Sequence, residues 1–215
     1  MQEVRFSRYE NLFFSLVSIL FHPIFIPTYL LIIVFNLFSG IFIFNSSYLI
    51  AITTAFFILT AIIPIIILSL FYYFKFIHSF YLKTKEERLL VSFSMTVFYF
   101  FTYFFMLKIN VQPLIFMSII ILPLSSFIFS VLLFFYPKIS MHSYAIGSIL
   151  GVLLFYRYFL LLIPDIYILT FLILASGLII TSRIALKAHL FQDTLIGYLL
   201  GMSSSFSLVL LIDLI

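Results

Sequence analysis

Residues 47–74 read SYLIAITTAFFILTAIIPIIILSLFYYF, a run of 28 residues without a single charged side chain. A transmembrane α-helix needs only about 20 consecutive apolar residues to cross the hydrocarbon core of a bilayer. The whole chain has the same character, because 65% of its 215 residues are hydrophobic, 8% are charged and the mean hydropathy is +1.33. The stretch and the composition together predict an all-α, polytopic membrane protein.

Six further apolar stretches accompany this one, so that seven membrane spans are predicted. The seven spans are Leu12–Phe38, Ser47–Phe74, Leu89–Leu107, Pro113–Tyr136, His142–Leu160, Pro164–Thr181 and Leu190–Ile212. Pro23 and Pro27 fall inside the first span, where a kinked helix is expected. The breaks between spans are short and carry turn formers or charge. Residues 1–215 are therefore predicted to form a single integral membrane domain.

The ionisable residues are not spread evenly over this topology. A basic segment ends at Arg88, two spans separate it from His142, and two more spans separate His142 from the run between Ser182 and Asp193. Because each pair of spans returns the chain to the same side of the membrane, all three clusters are expected to emerge on one face. Ionisable residues are costly near hydrocarbon and mark functional sites. The three clusters therefore form a candidate composite site.

The residue types in these clusters indicate phosphoryl transfer. His189 and Asp193 are four residues apart, so on one helix face the carboxylate can bond one imidazole nitrogen and leave the other free. That arrangement orients a nucleophilic or basic histidine. His142, at another helix start, can protonate a leaving group across the pocket. Arg183 and Arg88 supply guanidinium groups, which bind phosphate oxygens in a bidentate manner and stabilise transferring phosphoryl groups.

These residues resemble the motifs of the type-2 phosphatidic acid phosphatase superfamily, which includes bacterial acid phosphatases and vanadium haloperoxidases. The third motif of that family is Ser-Arg, five residues, His, three residues, Asp. This chain has the matching residues at every position, namely Ser182, Arg183, His189 and Asp193. Gly197 and Gly201 follow at helical spacing, as is often seen in the family.

The other two family motifs are represented in part. The second motif is usually Pro-Ser-Gly-His, of which Ser140 and His142 are present. For the first motif, Arg88 stands for the arginine. The lysine of that motif has three candidates, which are Lys85, Lys83 and Lys138. The similarity covers residues 83–201 by motif order and spacing.

The resemblance implies a mechanism with a covalent intermediate. His189 would attack the substrate phosphorus to form a phosphohistidine, Asp193 would orient the imidazole, and His142 would protonate the leaving group. The phosphate oxygens would be held by a set of polar side chains, which are Arg183, Arg88, Ser140, Lys85, Lys138 and Ser182. Water would then hydrolyse the intermediate, with no metal ion and no other cofactor.

The membrane setting predicts a lipid phosphate as the substrate. Prenyl diphosphate, phosphatidate, phosphatidylglycerol phosphate and lipid A phosphate fit equally well, and membrane lipids are the expected surroundings. Nucleic acid is not an expected partner. Three alternatives use the same residues: a lipid-to-acceptor phosphotransferase, a transporter of anionic substrates, and a non-catalytic relative that binds anionic headgroups.

The basic residues and the family resemblance predict opposite sides of the membrane for the site. Nine basic residues lie on the predicted site face against two on the other, which places the site in the cytoplasm by the positive-inside rule. The nine are Arg5, Arg8, Lys75, Lys83, Lys85, Arg88, Lys138, Arg183 and Lys187, and the two are Lys108 and Arg157. Four of the nine are candidate phosphate ligands, and many bacterial members of the resembled family face outward. The resemblance therefore favours an inner-membrane protein with an extracytoplasmic site.

Overall fold

The computed structural model describes residues 7–38, 45–109, 113–159 and 166–214. These residues form helices and connecting turns, without a β-strand among them, which confirms the all-helical class. The helices of the described ranges are α1 Arg8–Leu20, α2 Ile26–Phe38, α3 Ser46–Phe57, α4 Ile63–Tyr73, α5 Lys85–Lys108, α6 Pro113–Phe135, α7 Met141–Tyr158, α8 Ile166–Ala185 and α9 Phe191–Asp213. Arg5 and the predicted span limits Leu160 and Pro164 lie outside the described residues.

Five helical segments in the described ranges are long and apolar enough to cross a membrane. They are Ser46–Tyr73, Lys85–Lys108, Ile115–Phe135, Ile166–Ala185 and Phe191–Asp213. The first of them joins α3 to α4 through a π-helical turn at Ile58–Ile62. Each segment coincides with one of the seven predicted spans, which is consistent with a membrane protein.

The prediction of one helix over Leu12–Phe38 is wrong, because α1 ends at Leu20 and α2 begins at Ile26. Pro23 has no N–H to continue the ladder of α1, whereas Pro27 fits the first turn of α2, where helices tolerate proline. The His22 imidazole Nδ1 accepts a hydrogen bond from the N–H of Ile24 at 3.3 Å and so supports the turn. The break directs α1 away from α2 and along the side of α8.

Helix α7 covers most of the predicted span His142–Leu160, but it is not one of the five apolar segments. Twelve of its 18 residues are buried, among them Tyr144, Ile149 and Tyr156. A helix enclosed by other helices meets protein rather than lipid, so it can carry polar side chains. The inner position of α7 explains why its composition is less apolar than that of its neighbours.

The tightest helix pair in the bundle is α7 with α9. Glycines at the contact bring the two backbones together: a Cβ atom added to Gly201 would overlap the carbonyl oxygen of Tyr144, and one added to Gly147 would overlap that of Tyr198. Gly151 and Gly197 are also too close to the opposite chain to accept a Cβ atom. Small residues four positions apart are a common basis for such close packing in membranes.

The substitution Gly201→Ala is therefore expected to destabilise the protein by about 2 kcal/mol or more, because the new methyl group forces α7 and α9 apart. Gly177→Ala is the matched control, since a Cβ atom at this exposed position of α8 meets nothing within 4 Å. The control is expected to keep or raise stability, by up to about 1 kcal/mol. Thermal unfolding in detergent followed by circular dichroism measures both. Equal melting temperatures for the two variants would contradict the packing argument.

Candidate active site

A pocket of about 700 Å³ lies at the end of the bundle where α5 and α9 begin and where the chain enters α7. Ionisable side chains from three connections and the helix starts that follow them line it, namely Lys83, Lys85, Arg88, Lys138, Lys187, His189 and Asp193. Five cations thus face one carboxylate. The N-termini of α5 and α9 add the positive ends of two helix dipoles. The pocket is built to receive an anion with several oxygen atoms.

The α8–α9 connection places His189 through a helix-ending motif. Lys187 has φ 54°, in the left-handed region. The N–H of Ala188 donates to the carbonyl of Arg183 at 3.0 Å, and that of Lys187 donates to Ile184 at 2.9 Å, which is the Schellman pattern. The N–H of His189 also donates to the Arg183 carbonyl, at 3.3 Å. This bond ties the backbone of His189 to that of Arg183, six residues earlier.

The His189 imidazole is held in one tautomer. Its Nδ1 lies 3.0 Å from the carbonyl oxygen of Lys138, and because a carbonyl only accepts, Nδ1 carries the proton. The Nε2 atom of the neutral ring then keeps its lone pair. Burial lowers the pKa of His189 to about 4, and the positive charges of Arg183 and Arg88 act in the same direction. At neutral pH the ring is therefore uncharged and Nε2 can act as a nucleophile.

Asp193 does not make the predicted hydrogen bond to the His189 ring, whose Nδ1 is taken by Lys138. Instead, Oδ1 of Asp193 accepts from the Tyr136 hydroxyl at 2.7 Å, and Oδ2 accepts from the N–H of Leu190 at 3.2 Å. The reason is local, since a carboxylate in the first turn of a helix turns back to cap free N–H groups. Asp193 acts on His189 through its charge, which raises the pKa of the imidazole against the effect of burial.

Arg88 joins two connections at the pocket wall. Its Nε donates to the carbonyl of Leu82 and its Nη1 donates to that of Pro137, both at 2.8 Å. The start of α5 is fixed by a capping box between Thr84 and Glu87. The guanidinium therefore bridges the beginning of α5 and the approach to α7 while it lines the pocket.

The two lysines predicted to bind phosphate differ in their surroundings. The Lys85 Nζ lies 4.6 Å from the centroid of the Phe134 ring, a cation–π distance. Lys138 lies in the short connection before α7 and lines the pocket beside His189. Both ammonium groups therefore belong to the same pocket as the candidate nucleophile.

Two of the predicted phosphate ligands are fully buried and do not line the pocket. The Ser140 hydroxyl caps α7 by accepting from the N–H of Ser143 at 3.4 Å. The Ser182 hydroxyl donates to the carbonyl of Ile179 at 2.9 Å. Direct contact of either hydroxyl with a phosphate in the pocket is therefore a wrong prediction for this structure. Their roles are to hold the ends of two helices.

Helix α1 supplies a contact that no motif indicated. The hydroxyl of Ser18 accepts from Nη1 of Arg183 at 3.2 Å and lies 3.0 Å from the Ser182 hydroxyl. The backbone carbonyl of Ser18 accepts from Nε2 of His142 at 3.1 Å. One serine thus joins the second and third motifs. An isolated serine in an apolar helix has no distinctive pattern, so the sequence does not indicate this contact.

His142 lies in a layer of side chains behind the pocket rather than in its wall. It is 9% exposed, and its ring meets that of His22 edge to face, with 5.2 Å between centroids. Arg183 is part of the same layer through Ser18. Among the described residues, the Nε–H of Arg183 is buried and makes no hydrogen bond. A buried charged donor without a partner is costly, so an anion is favoured beside it.

Replacement of Ser18 by Ala is expected to lower the free energy of unfolding by about 1–2 kcal/mol, because Nη1 of Arg183 loses its buried acceptor. Ser203→Ala is the control: that serine is exposed and bonds only within its own helix, to Leu200. Denaturation of both variants in mixed detergent micelles measures the difference. Identical stability would show that the Ser18 contact contributes nothing.

The arrangement can therefore do three things chemically. It presents an uncharged imidazole with a free Nε2, it neutralises a multivalent anion with five cations, and it holds a buried arginine donor next to the pocket. These are the elements needed to attack a phosphorus atom and to stabilise the charge that develops. No family model, no curated protein and no solved structure matches this chain.

Proposed function

We propose that this chain is a membrane-embedded phosphatase of lipid phosphates or diphosphates that acts through a phosphohistidine. The observation that carries the proposal is the state of His189. Its ring is neutral at pH 7, its Nδ1–H is held by the Lys138 carbonyl, and it stands in a pocket with five cations. The proposal includes the finer architecture implied by the family resemblance: a bundle of about seven spans, the first of them divided into α1 and α2, with an extracytoplasmic site in the inner membrane.

In the first step, Nε2 of His189 attacks phosphorus and a P–N bond forms while the bond to the leaving oxygen breaks. The Nδ1–H of the phosphorylated ring continues to donate to the Lys138 carbonyl, which stabilises the positive charge of the ring. Arg88, Lys85 and Lys138 neutralise the phosphoryl oxygens. The buried Nε–H of Arg183 supplies a further donor close to this pocket.

In the second step, a water molecule attacks the phosphohistidine, the P–N bond breaks and inorganic phosphate leaves. The leaving oxygen of the first step needs a proton, and the protonated form of His142 is the proposed donor. Its neutral form then accepts the proton of the attacking water. Both histidines are thereby returned to their starting states, and no metal ion is required for any of these transfers.

A lipid is favoured over a soluble phosphate ester by the position of the pocket. It opens at the end of apolar helices, and Leu190 and Phe191, which line it, are largely exposed. Exposed apolar side chains beside a cationic pocket suit an amphiphile whose headgroup and chain need different surroundings. Membrane lipids are the natural source of such a molecule.

Replacement of His189 by Ala is expected to lower phosphate release by at least about 10³-fold, because none of the other described residues that line the pocket offers an uncharged nitrogen nucleophile. The assay measures inorganic phosphate from phosphatidate and from a prenyl diphosphate in detergent. Lys108→Ala is the control, since Lys108 is exposed at the far end of α5 from the pocket. Equal release by wild type and His189→Ala would overturn the phosphohistidine, and substrate binding without release by wild type would favour a transporter or a non-catalytic relative.

The pH dependence of kcat/KM offers an independent test. Because His189 must be unprotonated to attack and its pKa is about 4, the acidic limb of the kcat/KM profile is expected near pH 4. Removing a neighbouring positive charge in Arg183→Gln raises the pKa of His189 and moves this acidic limb to higher pH, by up to about one unit. Lys108→Gln, at the far end of α5, is the control. An acidic limb that stays in place in Arg183→Gln would contradict the assignment of His189.

A further inference from the structure

A second cavity, of about 360 Å³, lies inside the bundle among α2, α4, α5, α6 and α7. Its walls are mostly apolar and include Leu30, Met95, Ile121, Phe129 and Ile149. Along α7 it extends from Met141 to Val152, a rise of about 16 Å. That length is about half the thickness of a bilayer hydrocarbon core.

Most of the serine and tyrosine hydroxyls that line this cavity are hydrogen-bonded within the protein. The hydroxyl of Ser126 lies 2.9 Å from that of Thr96, and the hydroxyl of Ser125 donates to that of Tyr144 at 3.2 Å. An apolar cavity with few free polar groups attracts little ordered water. The ligand that suits such a cavity is a hydrocarbon group.

The cavity ends next to the candidate active site. His22 lines it, and the ring of His22 touches that of His142. Met141, the residue before His142, lines it as well. The apolar cavity therefore reaches the His22–His142 contact, and His142 belongs to the layer of side chains behind the cationic pocket.

We propose that this cavity binds one hydrocarbon chain of the lipid phosphate whose headgroup occupies the cationic pocket. The inference rests on the proposed function for the identity of the headgroup. Three observations carry it: the apolar walls, the depth of the cavity inside the membrane-spanning helices, and its end at the His22–His142 contact. The protein then recognises its substrate by the phosphate and by a single chain.

Fluorescence quenching tests chain binding directly, because the protein has no tryptophan. Phe129→Trp introduces one fluorophore into the cavity wall, and Phe104→Trp introduces one on the outer surface of α5, where the native ring is 55% exposed. The probe is dodecyl phosphate brominated near the end of its chain. Saturable quenching in Phe129→Trp and only gradual, non-saturating quenching in Phe104→Trp are expected. Non-saturating quenching in both would overturn the proposal.

A blocking substitution makes the test specific. In the Phe129→Trp background, Ala145→Phe fills the cavity from α7 and is expected to weaken saturable quenching at least tenfold. Ala145→Leu gives a milder block if the larger ring prevents folding. Ala51→Phe, on the exposed side of α3, is the matched control and should leave quenching unchanged. Unaltered quenching in both Ala145 variants would place the chain elsewhere.

Two further comparisons separate this inference from the proposed function. Brominated dodecanol, which lacks the phosphate, should bind at least tenfold more weakly than brominated dodecyl phosphate, and equal binding would overturn joint occupancy of pocket and cavity. Quenching does not depend on hydrolysis, so it is scored apart from phosphate release. Phosphate release without saturable quenching would overturn the proposed chain-binding cavity and leave the proposed phosphatase activity standing. Saturable quenching without release supports the chain site and overturns the phosphatase.

Discussion

Helices α7 and α9 approach until backbone meets backbone, and the geometry of the candidate site depends on this contact. Glycine is required where the chains cross, as Gly147 and Gly201 show. At the site end of the pair, the N–H of Ser140 donates to the carbonyl of Asp193 at 3.2 Å, and the carbonyl of Lys138 accepts from the ring of His189. The packing of two helices thus selects the tautomer of the proposed nucleophile. If α7 and α9 moved apart, the Lys138 carbonyl would no longer fix the tautomer of His189, although both residues would still be present.

Much of the class and part of the site could be predicted from sequence because the signals are physical and strong. Charge is rare in this chain, so each charged cluster marks a helix end, and counting spans brought Arg88 and His189 to the same pocket. The partner of His189 could not be predicted, because it is the backbone carbonyl of Lys138, which any residue would provide. The predicted hydrogen bond from Asp193 to the His189 ring was wrong for a related reason. Helical spacing places the carboxylate near His189, but the carboxylate caps the N–H of Leu190 instead.

Helix α1 shows a different limit of sequence patterns. Apolar character alone favoured one long first span, whereas Pro23 ends the ladder and sends the chain in a new direction. As a consequence, Ser18 reaches Arg183 and His142, two residues that lie more than 120 positions away along the chain. Such a contact depends on the angle between helices, which hydrophobic periodicity does not encode. The polar network behind the pocket is therefore a product of tertiary packing.

The position of His142 becomes intelligible when the pocket and the cavity are considered as one binding surface for an amphiphile. In the proposed complex, the phosphate lies among the cations and the chain lies among apolar walls, so the oxygen that joins them must lie at the layer between. His142 is part of that layer, beside His22 and Arg183. A proton donor for the leaving oxygen belongs at this junction rather than in the pocket wall. Its burial then excludes water from the departing oxygen while the cations hold the transferred phosphoryl group.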